Sequence, residues 1–259
     1  MIDFHNHVIP GVDDGAADLD QSREALAAMQ AQGITTVIAT PHVKGSLTED
    51  EAAADTFLGE VDAAFAALKE MAARDFPGLR LERGHEVMLD TPHPRLGDGR
   101  LRLAGTRFVL VEFPFMMVPP NAPQAVFDLK MQGYNPIIAH PERYGNVDPA
   151  LHQAEEWRRV GALLQVNAGS LLGRYGKGPQ ELAWGLLRRG MVDYLSSDFH
   201  ARGTCWTADA RAALEKEGAA EQALLLTETN PARMLEGQAP LPVPALARPR
   251  SLWGRLFGR

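Results

Sequence analysis

Apolar residues in this chain fall into seven short runs, separated by longer stretches in which they recur every three or four positions. The runs are Ile2 to His7, Ile34 to Ala39, Leu79 to Val87, Arg107 to Phe113, Asn135 to His140, Ala162 to Asn167 and Val192 to Asp198. Their Val, Ile, Leu and Phe content predicts buried strands. Leu19, Ala25, Leu26 and Met29 stand at helical spacing and predict a helix over Asp20 to Gln32 that stops at Gly33. An Ala-rich helix is predicted from Glu49 to Arg74, halted by Phe76-Pro77-Gly78. Further helices are predicted from Pro119-Pro120-Asn121 to Gln132, Pro149 to Val160 and Pro179 to Arg189, with two more filling Thr207 to Leu235. Leu89 to Gly105, with its glycines and prolines, reads as a loop with a short hairpin. Strands alternating with helices at this rhythm predict parallel βαβ units.

The ends of the runs carry the chemistry. In a strand from Ile2 to His7, Asp3, His5 and His7 project from one face and Phe4 from the other. Paired imidazoles at this spacing suit a shared metal, although a surface histidine pair has the same pattern. The other runs lead into His42, Glu86, Glu112, His140 and Asp198/His200, and only Val166-Asn167 lacks a candidate ligand. With 33 acids and 8 histidines among 259 residues, about one in six, six of seven run ends is well above chance. In a closed parallel barrel those ends meet at one rim, where catalytic groups gather.

Length and composition narrow the class. A chain of 259 residues suits one large α/β domain, and 45% hydrophobic with 23% charged residues is ordinary for a globular protein. The net charge of −7 argues against a nucleic-acid binder. A single cysteine, Cys205, precludes an internal disulfide. Neither a basic and apolar leader nor an apolar run long enough to span a bilayer is visible, so the expected location is cytoplasmic.

Several short motifs are jointly specific: His5-x-His7, Gly11-Val-Asp-Asp14-Gly15, Ala39-Thr-Pro-His42, Gly84-x-Glu86, Val111-Glu112, Ala139-His140-Pro-Glu-Arg143-Tyr144 and Ser197-Asp198-x-His200. Together they resemble the polymerase and histidinol phosphatase (PHP) superfamily. The Gly-Val-Asp-Asp-Gly turn and the His-Pro-Glu-Arg-Tyr string narrow this to its bacterial manganese-dependent protein-tyrosine phosphatases of capsule and exopolysaccharide loci. The resemblance spans roughly residues 1 to 235 and implies an irregular (β/α)7 barrel with its metal site at the C-terminal rim of the strands.

It further implies three metal ions on nine positions. His5, His7, Glu86 and Asp198 would bind one, Glu86 bridging to a second completed by Glu112 and His140, and Asp14, His42 and His200 a third. Asp14 and Glu112 stand where the wider superfamily commonly has histidine, which points to the tyrosine-phosphatase branch. Imidazole and carboxylate without thiolate suit Mn²⁺, Fe or Zn²⁺, and the resemblance favours Mn²⁺. Three divalent cations outweigh the four carboxylates, so the pocket would attract an anionic phosphomonoester despite the acidic body.

The expected chemistry is attack on phosphorus by metal-activated hydroxide, with no cysteinyl intermediate. Arg143 is a candidate phosphate clamp and Arg202 a second, although Arg202 does not align with the family's second arginine. The substrate implied is phosphotyrosine on a bacterial tyrosine kinase of polysaccharide export. A small-molecule phosphatase such as a histidinol-phosphate phosphatase is the alternative enzyme, and a non-catalytic metal-stabilised scaffold the alternative of another class.

Other residues read as structural. Asp13 is expected to bond turn amides. His85 should point away from Glu86, His93 and His152 should be exposed, and Arg143 has the competing reading of bracing a loop. Cys205 and Arg211 match the C-x5-R spacing of cysteine-dependent phosphatases, but the heptad has no glycine and reads as a helix start. A phosphatase domain is expected over residues 1–237. Beyond it, Ala239 to Pro244 reads as a semi-rigid linker. The tail carries Arg248, Arg250, Arg255 and Arg259 without an acid, and its Leu252, Trp253, Leu256 and Phe257 offer contact with an anionic membrane or a partner protein.

Overall fold

Residues 1–246 are described by a computed structural model of the chain. Seven strand segments form as the apolar runs predict, but the third breaks in the middle, and beyond Thr40-Pro41 the second is continued by a further strand past its predicted end. The strands are β1 (Ile2–Asp3), β2 (Thr36–Ala39), β3 (His42–Lys44), β4 (Arg80–Arg83), β5 (Glu86–Met88), β6 (Phe108–Glu112), β7 (Asn135–Ala139), β8 (Leu163–Asn167) and β9 (Tyr194–Ser196). One sheet has the order β1-β2-β4 and the other β3-β5-β6-β7-β8-β9, with every pairing parallel.

The second and third predicted strands bend together, at Thr40-Pro41 and at Gly84-His85. The register Thr36↔Arg80 continues after the bend as His42↔Glu86. Gly84 permits this bend because a Cβ there would lie 2.9 Å from the Leu103 Cα. The first strand is also shorter than expected. The Ser196 hydroxyl takes the backbone N–H groups of Phe4 and His5 at 3.0 and 2.9 Å, diverting the chain from a ladder. Asp3 consequently does not join the histidines, because its carboxylate accepts from Asn6 Nδ2 and Ser197 N. Beyond the break Asn6 bridges to Phe199, and His7 N–H donates to the Phe199 carbonyl at 2.9 Å, linking the last strand segment to the first.

The sheet is buried on both faces, which is why the runs read as continuously apolar. Val109, Val111, Ile138 and Leu164 face the helices with Trp157 and Leu187. Phe108, Leu110 and Ile137 face the other way onto Phe4, Ile38 and Tyr194. Phe4 and Tyr194 meet edge to face at 5.1 Å.

The helices are α1 (Leu19–Ala31), α2 (Glu51–Asp75), α3 (Ala122–Met131), α4 (His152–Arg159), α5 (Ala168–Leu171), α6 (Lys177–Arg188), α7 (Thr207–Lys216), α8 (Ala220–Leu224) and α9 (Asn230–Leu235). Asp50 caps α2 by accepting from Ala52 and Ala53 N–H, so α2 starts two residues later than expected. A π-helical turn, Leu225–Thr229, joins α8 to α9. Short α5 was not anticipated. No hairpin forms between Leu89 and Gly105, where 3-10 turns at Gly99–Leu101 and Leu103–Gly105 take its place.

The stretch read as a linker lies on the body. Leu241 N–H donates to Asn230 Oδ1 at 2.8 Å, Leu246 N–H to the Leu187 carbonyl at 3.2 Å, and Val243 is buried. Among the described residues no helix is long and apolar enough to cross a membrane. The expected membrane or protein contact through 248–259 lies outside the described residues.

Candidate metal centre

All nine sequence-predicted ligand positions come together. His5 and His7 follow β1, Glu112 ends β6, His140 follows β7, and Asp198 and His200 follow β9. His42 and Glu86 do not end their strands as expected. They open β3 and β5, just past the paired bend, and the bend is what places them beside the others. His140 and Asp198 have left-handed backbone, with φ of 35° and 54°. Such strained conformations in non-glycine residues concentrate at functional sites.

Glu86 lies at the centre. His5 Nε2 is 3.2 Å from its Oε2, His42 Nδ1 also 3.2 Å, and His140 Nε2 is 3.0 Å from its Oε1. Asp198 Oδ1 is 3.4 Å from both His5 Nε2 and His7 Nε2. Glu112 Oε1 is 3.2 Å from His42 Nδ1, so Glu112 groups with His42 and Glu86, while His140 groups with His5 and Asp198. Exposed Asp14 stands at the outer edge, 3.5 Å from His42 Nε2 and 3.4 Å from His200 Nε2. Gly15 is required beside it, because a Cβ there would sit 2.0 Å from the His7 carbonyl oxygen.

Six buried polar atoms in this cluster have no hydrogen-bond partner: His5 Nε2, His7 Nε2, His42 Nδ1, His140 Nδ1, Glu86 Oε2 and Glu112 Oε1. Buried nitrogen and oxygen atoms are ordinarily paired, so this concentration fits cations as the missing partners. The donor set of imidazole and carboxylate without thiolate suits divalent metal ions.

The charges show how the cluster balances without cations. Burial disfavours charge on His5, but Glu86 and Asp198 outweigh it and raise its pKa to about 9. His7 also rises well above its ordinary value, burial being overcome by Asp13 and Asp198. Burial opposes charge on Glu86 and Asp198 too, yet the histidines, His5 foremost, hold both below the usual carboxylate range. Protons on imidazole thus stand in for metal charge, and metal binding would release them.

Three side chains that hold the cluster were not identified as such from the sequence. Asp13 does bond turn amides, at Gly15 and His42, but its Oδ2 also accepts from His7 Nδ1 at 2.7 Å. Gln165 Oε1 accepts from His5 Nδ1 at 2.8 Å. Asn167, at the one run end without a candidate ligand, donates to Asp198 Oδ2 at 2.6 Å and accepts from Gln165 Nε2 at 2.9 Å. Two amides alternating on one face of an otherwise apolar strand were the available signal.

Arg143 donates to Asp198 Oδ2 at 2.5 Å and stacks on the Tyr175 ring at 4.2 Å. Exposed Arg202 donates to the Asp14 carbonyl. His85 is buried, faces the Arg100 carbonyl at 3.0 Å and is pushed down to about 4 by burial. His93 and His152 are exposed. The Cys205 thiol is buried and pushed up to about 11, and Arg211 pairs with Glu228 and Glu215, so the C-x5-R spacing forms no phosphate cradle.

A parallel α/β fold that brings His, Asp and Glu side chains into one cluster with unpartnered buried donor atoms suits a metal-dependent class of protein. Residues 1–236 match the family described as Capsular polysaccharide synthesis, CpsB/CapC, and the chain belongs to that family. It is 36% identical over 236 residues to tyrosine-protein phosphatase YwqE of Bacillus subtilis, covering 88% of this chain and 89% of that one. It is 27% identical over 209 residues to tyrosine-protein phosphatase CpsB of Streptococcus pneumoniae, covering 77% and 83%. A crystal structure from work on YwqE and CpsB, described as metal-dependent tyrosine phosphatases, superposes with a TM-score of 0.77 at 31% identity, covering 96% of this chain and all of that one. An amidohydrolase at 14% identity and a TM-score of 0.50 shares the fold alone.

Proposed function

We propose that this chain is a metal-dependent tyrosine-protein phosphatase whose substrate is phosphotyrosine on a protein, a bacterial tyrosine kinase of capsule or exopolysaccharide synthesis. The observation that carries this reading is the convergence of nine His, Asp and Glu side chains on six buried, unpartnered polar atoms. Membership of a family whose relatives are tyrosine phosphatases supports it.

Three divalent ions, assigned as Mn²⁺ with Fe or Zn²⁺ as alternatives, would occupy the cluster. The resemblance assigns His5, His7, Glu86 and Asp198 to one, Glu86, Glu112 and His140 to a second, and Asp14, His42 and His200 to the third, whereas the side chains as they stand bring Glu112 to His42 and Glu86, and His140 to His5 and Asp198. Bound ions of this kind neutralise phosphate oxygens and lower the pKa of water toward neutrality. Gln165 and Asp13 each take a ring proton from the Nδ1 side, leaving Nε2 of His5 and His7 free to ligate. Arg143, held at the cluster edge by Asp198 and Tyr175, is the candidate phosphate clamp, and Arg202 is a second candidate at the outer rim. A tyrosine phenolate, with a parent pKa near 10, leaves with less help from a general acid than an alkoxide needs.

We read the seven parallel segments, the last joined to the first, as an irregular (β/α)7 barrel with the cluster at its C-terminal rim. The phosphatase domain is assigned to residues 1–237, acting in the cytoplasm. Metal-reconstituted protein assayed against a phosphotyrosine peptide, a phosphoserine peptide and histidinol phosphate tests the reading. Preferential turnover of phosphotyrosine is expected. Turnover of histidinol phosphate alone would sink the tyrosine assignment, and turnover of none would leave a metal-stabilised scaffold.

A further inference from the structure

A cavity of about 480 Å³ opens directly beside the cluster, between the Val12 turn, β3 and α2. Val12, Val43, Leu47, Phe57 and Met88 form its apolar walls, Asp13 and Lys44 complete the lining, and Asp14 and His42 belong both to it and to the nine. The walls are firmly backed. Val43 is buried in the main core, Leu47 and Phe57 pack against that core, and the Phe57 ring lies 6.0 Å from the ring of buried His85.

Two other cavities differ in character. A larger one, about 660 Å³, contains none of the nine, and its Arg100 is engaged by Asp55, Asp62 and Asp98. One of about 330 Å³ on the Arg143 side is bordered by Glu142 and Glu181 as well as Arg143. The Val12 cavity therefore combines apolar walls with a mouth on the candidate metal centre.

A small-molecule site is expected to have mostly apolar walls and a few placed polar groups that fix orientation. We propose that this cavity takes the aromatic ring of the phosphotyrosine side chain while its phosphate lies on the cluster, an assignment that rests on the phosphatase reading above. Phosphotyrosine matches both halves, since it joins a dianion to a flat apolar ring. An alkyl phosphate such as phosphoserine has nothing to displace water from Val12, Leu47 and Met88. Preference for aryl over alkyl phosphomonoesters then comes from burial of the ring at these walls.

The test compares non-hydrolysable ligands on the metal-reconstituted protein by calorimetry. Wild type should bind benzylphosphonate about tenfold or more tighter than ethylphosphonate. Leu47→Asn, which makes a wall polar, and Val12→Trp, which fills the space, should each lower that ratio about fivefold or more. Both positions are only partly buried, so either variant can report if the other fails to fold. Equal affinity of wild type for the two ligands, or a ratio unchanged in both variants, overturns the proposal. Turnover of a phosphotyrosine peptide is measured alongside: if it persists with a flat ratio, the cavity assignment alone fails, and if wild type lacks it, the phosphatase reading fails.

Discussion

Replacing Asp13 by Asn isolates the hydrogen bond that sets the protonation of His7. His7 Nε2 is buried without a partner and faces Glu86 and Asp198, so it offers a lone pair only when the ring proton sits on Nδ1. Asp13 Oδ2 accepts that proton at 2.7 Å, with side-chain exposures of 0% for His7 and 4% for Asp13. Its Oδ1 accepts from Gly15 N–H at 2.9 Å. An asparagine has one oxygen for these two donors and for His42 N–H, which Oδ2 also accepts. Turned to His7, it sets its NH₂ against Gly15 N–H. Turned to Gly15, it sets its NH₂ against His7 and drives the ring proton onto Nε2, inside the ligand cluster. Either way one backbone N–H loses its acceptor, that of Gly15 in the first case and that of His42 in the second. Removing such a partner from a metal-ligating histidine weakens binding about 10- to 100-fold, or roughly 1.4 to 2.7 kcal/mol. Competition calorimetry with Mn²⁺ on metal-stripped protein should show this loss, with the circular dichroism spectrum preserved. Unchanged Mn²⁺ affinity in Asp13→Asn would refute the tautomer argument.

Cys205→Ser should leave kcat/KM for a phosphotyrosine peptide unchanged, and an inactive variant would contradict a mechanism without a cysteinyl nucleophile. His140→Ala should lower kcat/KM by at least about 100-fold, beyond the range for an outer partner, and wild-type turnover would count against the ligand scheme. The pKa of His85 falls from 6.5 to about 4 on folding, so its contribution to stability is complete above pH 6.5 and is lost as pH falls toward 4. The loss amounts to roughly 3 kcal/mol. Urea denaturation of His85→Gln between pH 7 and 4 should therefore give a flatter pH slope than wild type, and parallel slopes would show that His85 titrates normally.

Eight of the nine cluster positions were legible because they stand at or just past the ends of apolar runs, and Asp14 because its Gly-Val-Asp-Asp-Gly turn resembles a known family. Their supports were less legible. Asp13 looks like any turn aspartate until His7 Nδ1 is seen 2.7 Å away, across a turn that Gly15 allows to close. Gln165 and Asn167 lie in β8, more than 150 residues from His5, and no local spacing connects them. The linker reading of Ala239 to Pro244 missed its contacts because composition does not show what a segment packs against: Asn230, eleven residues before Leu241, accepts from its N–H, and the Leu187 carbonyl accepts from Leu246 N–H.

The seven strand segments, most helices and the candidate ligands followed from sequence alone, because hydrophobic period and residue type are local properties. Tertiary structure decided where those residues meet. The shared bend at Pro41 and Gly84 turns His42 and Glu86 from strand ends into the centre of the cluster. It also decided which atoms remain without partners, since hydrogen bonding in a buried site depends on neighbours from every strand. The opening His-x-His is the clearest case: the pattern itself fits a surface pair or a metal site, and burial among Glu86, Asp198, Asp13 and Gln165 favours the second.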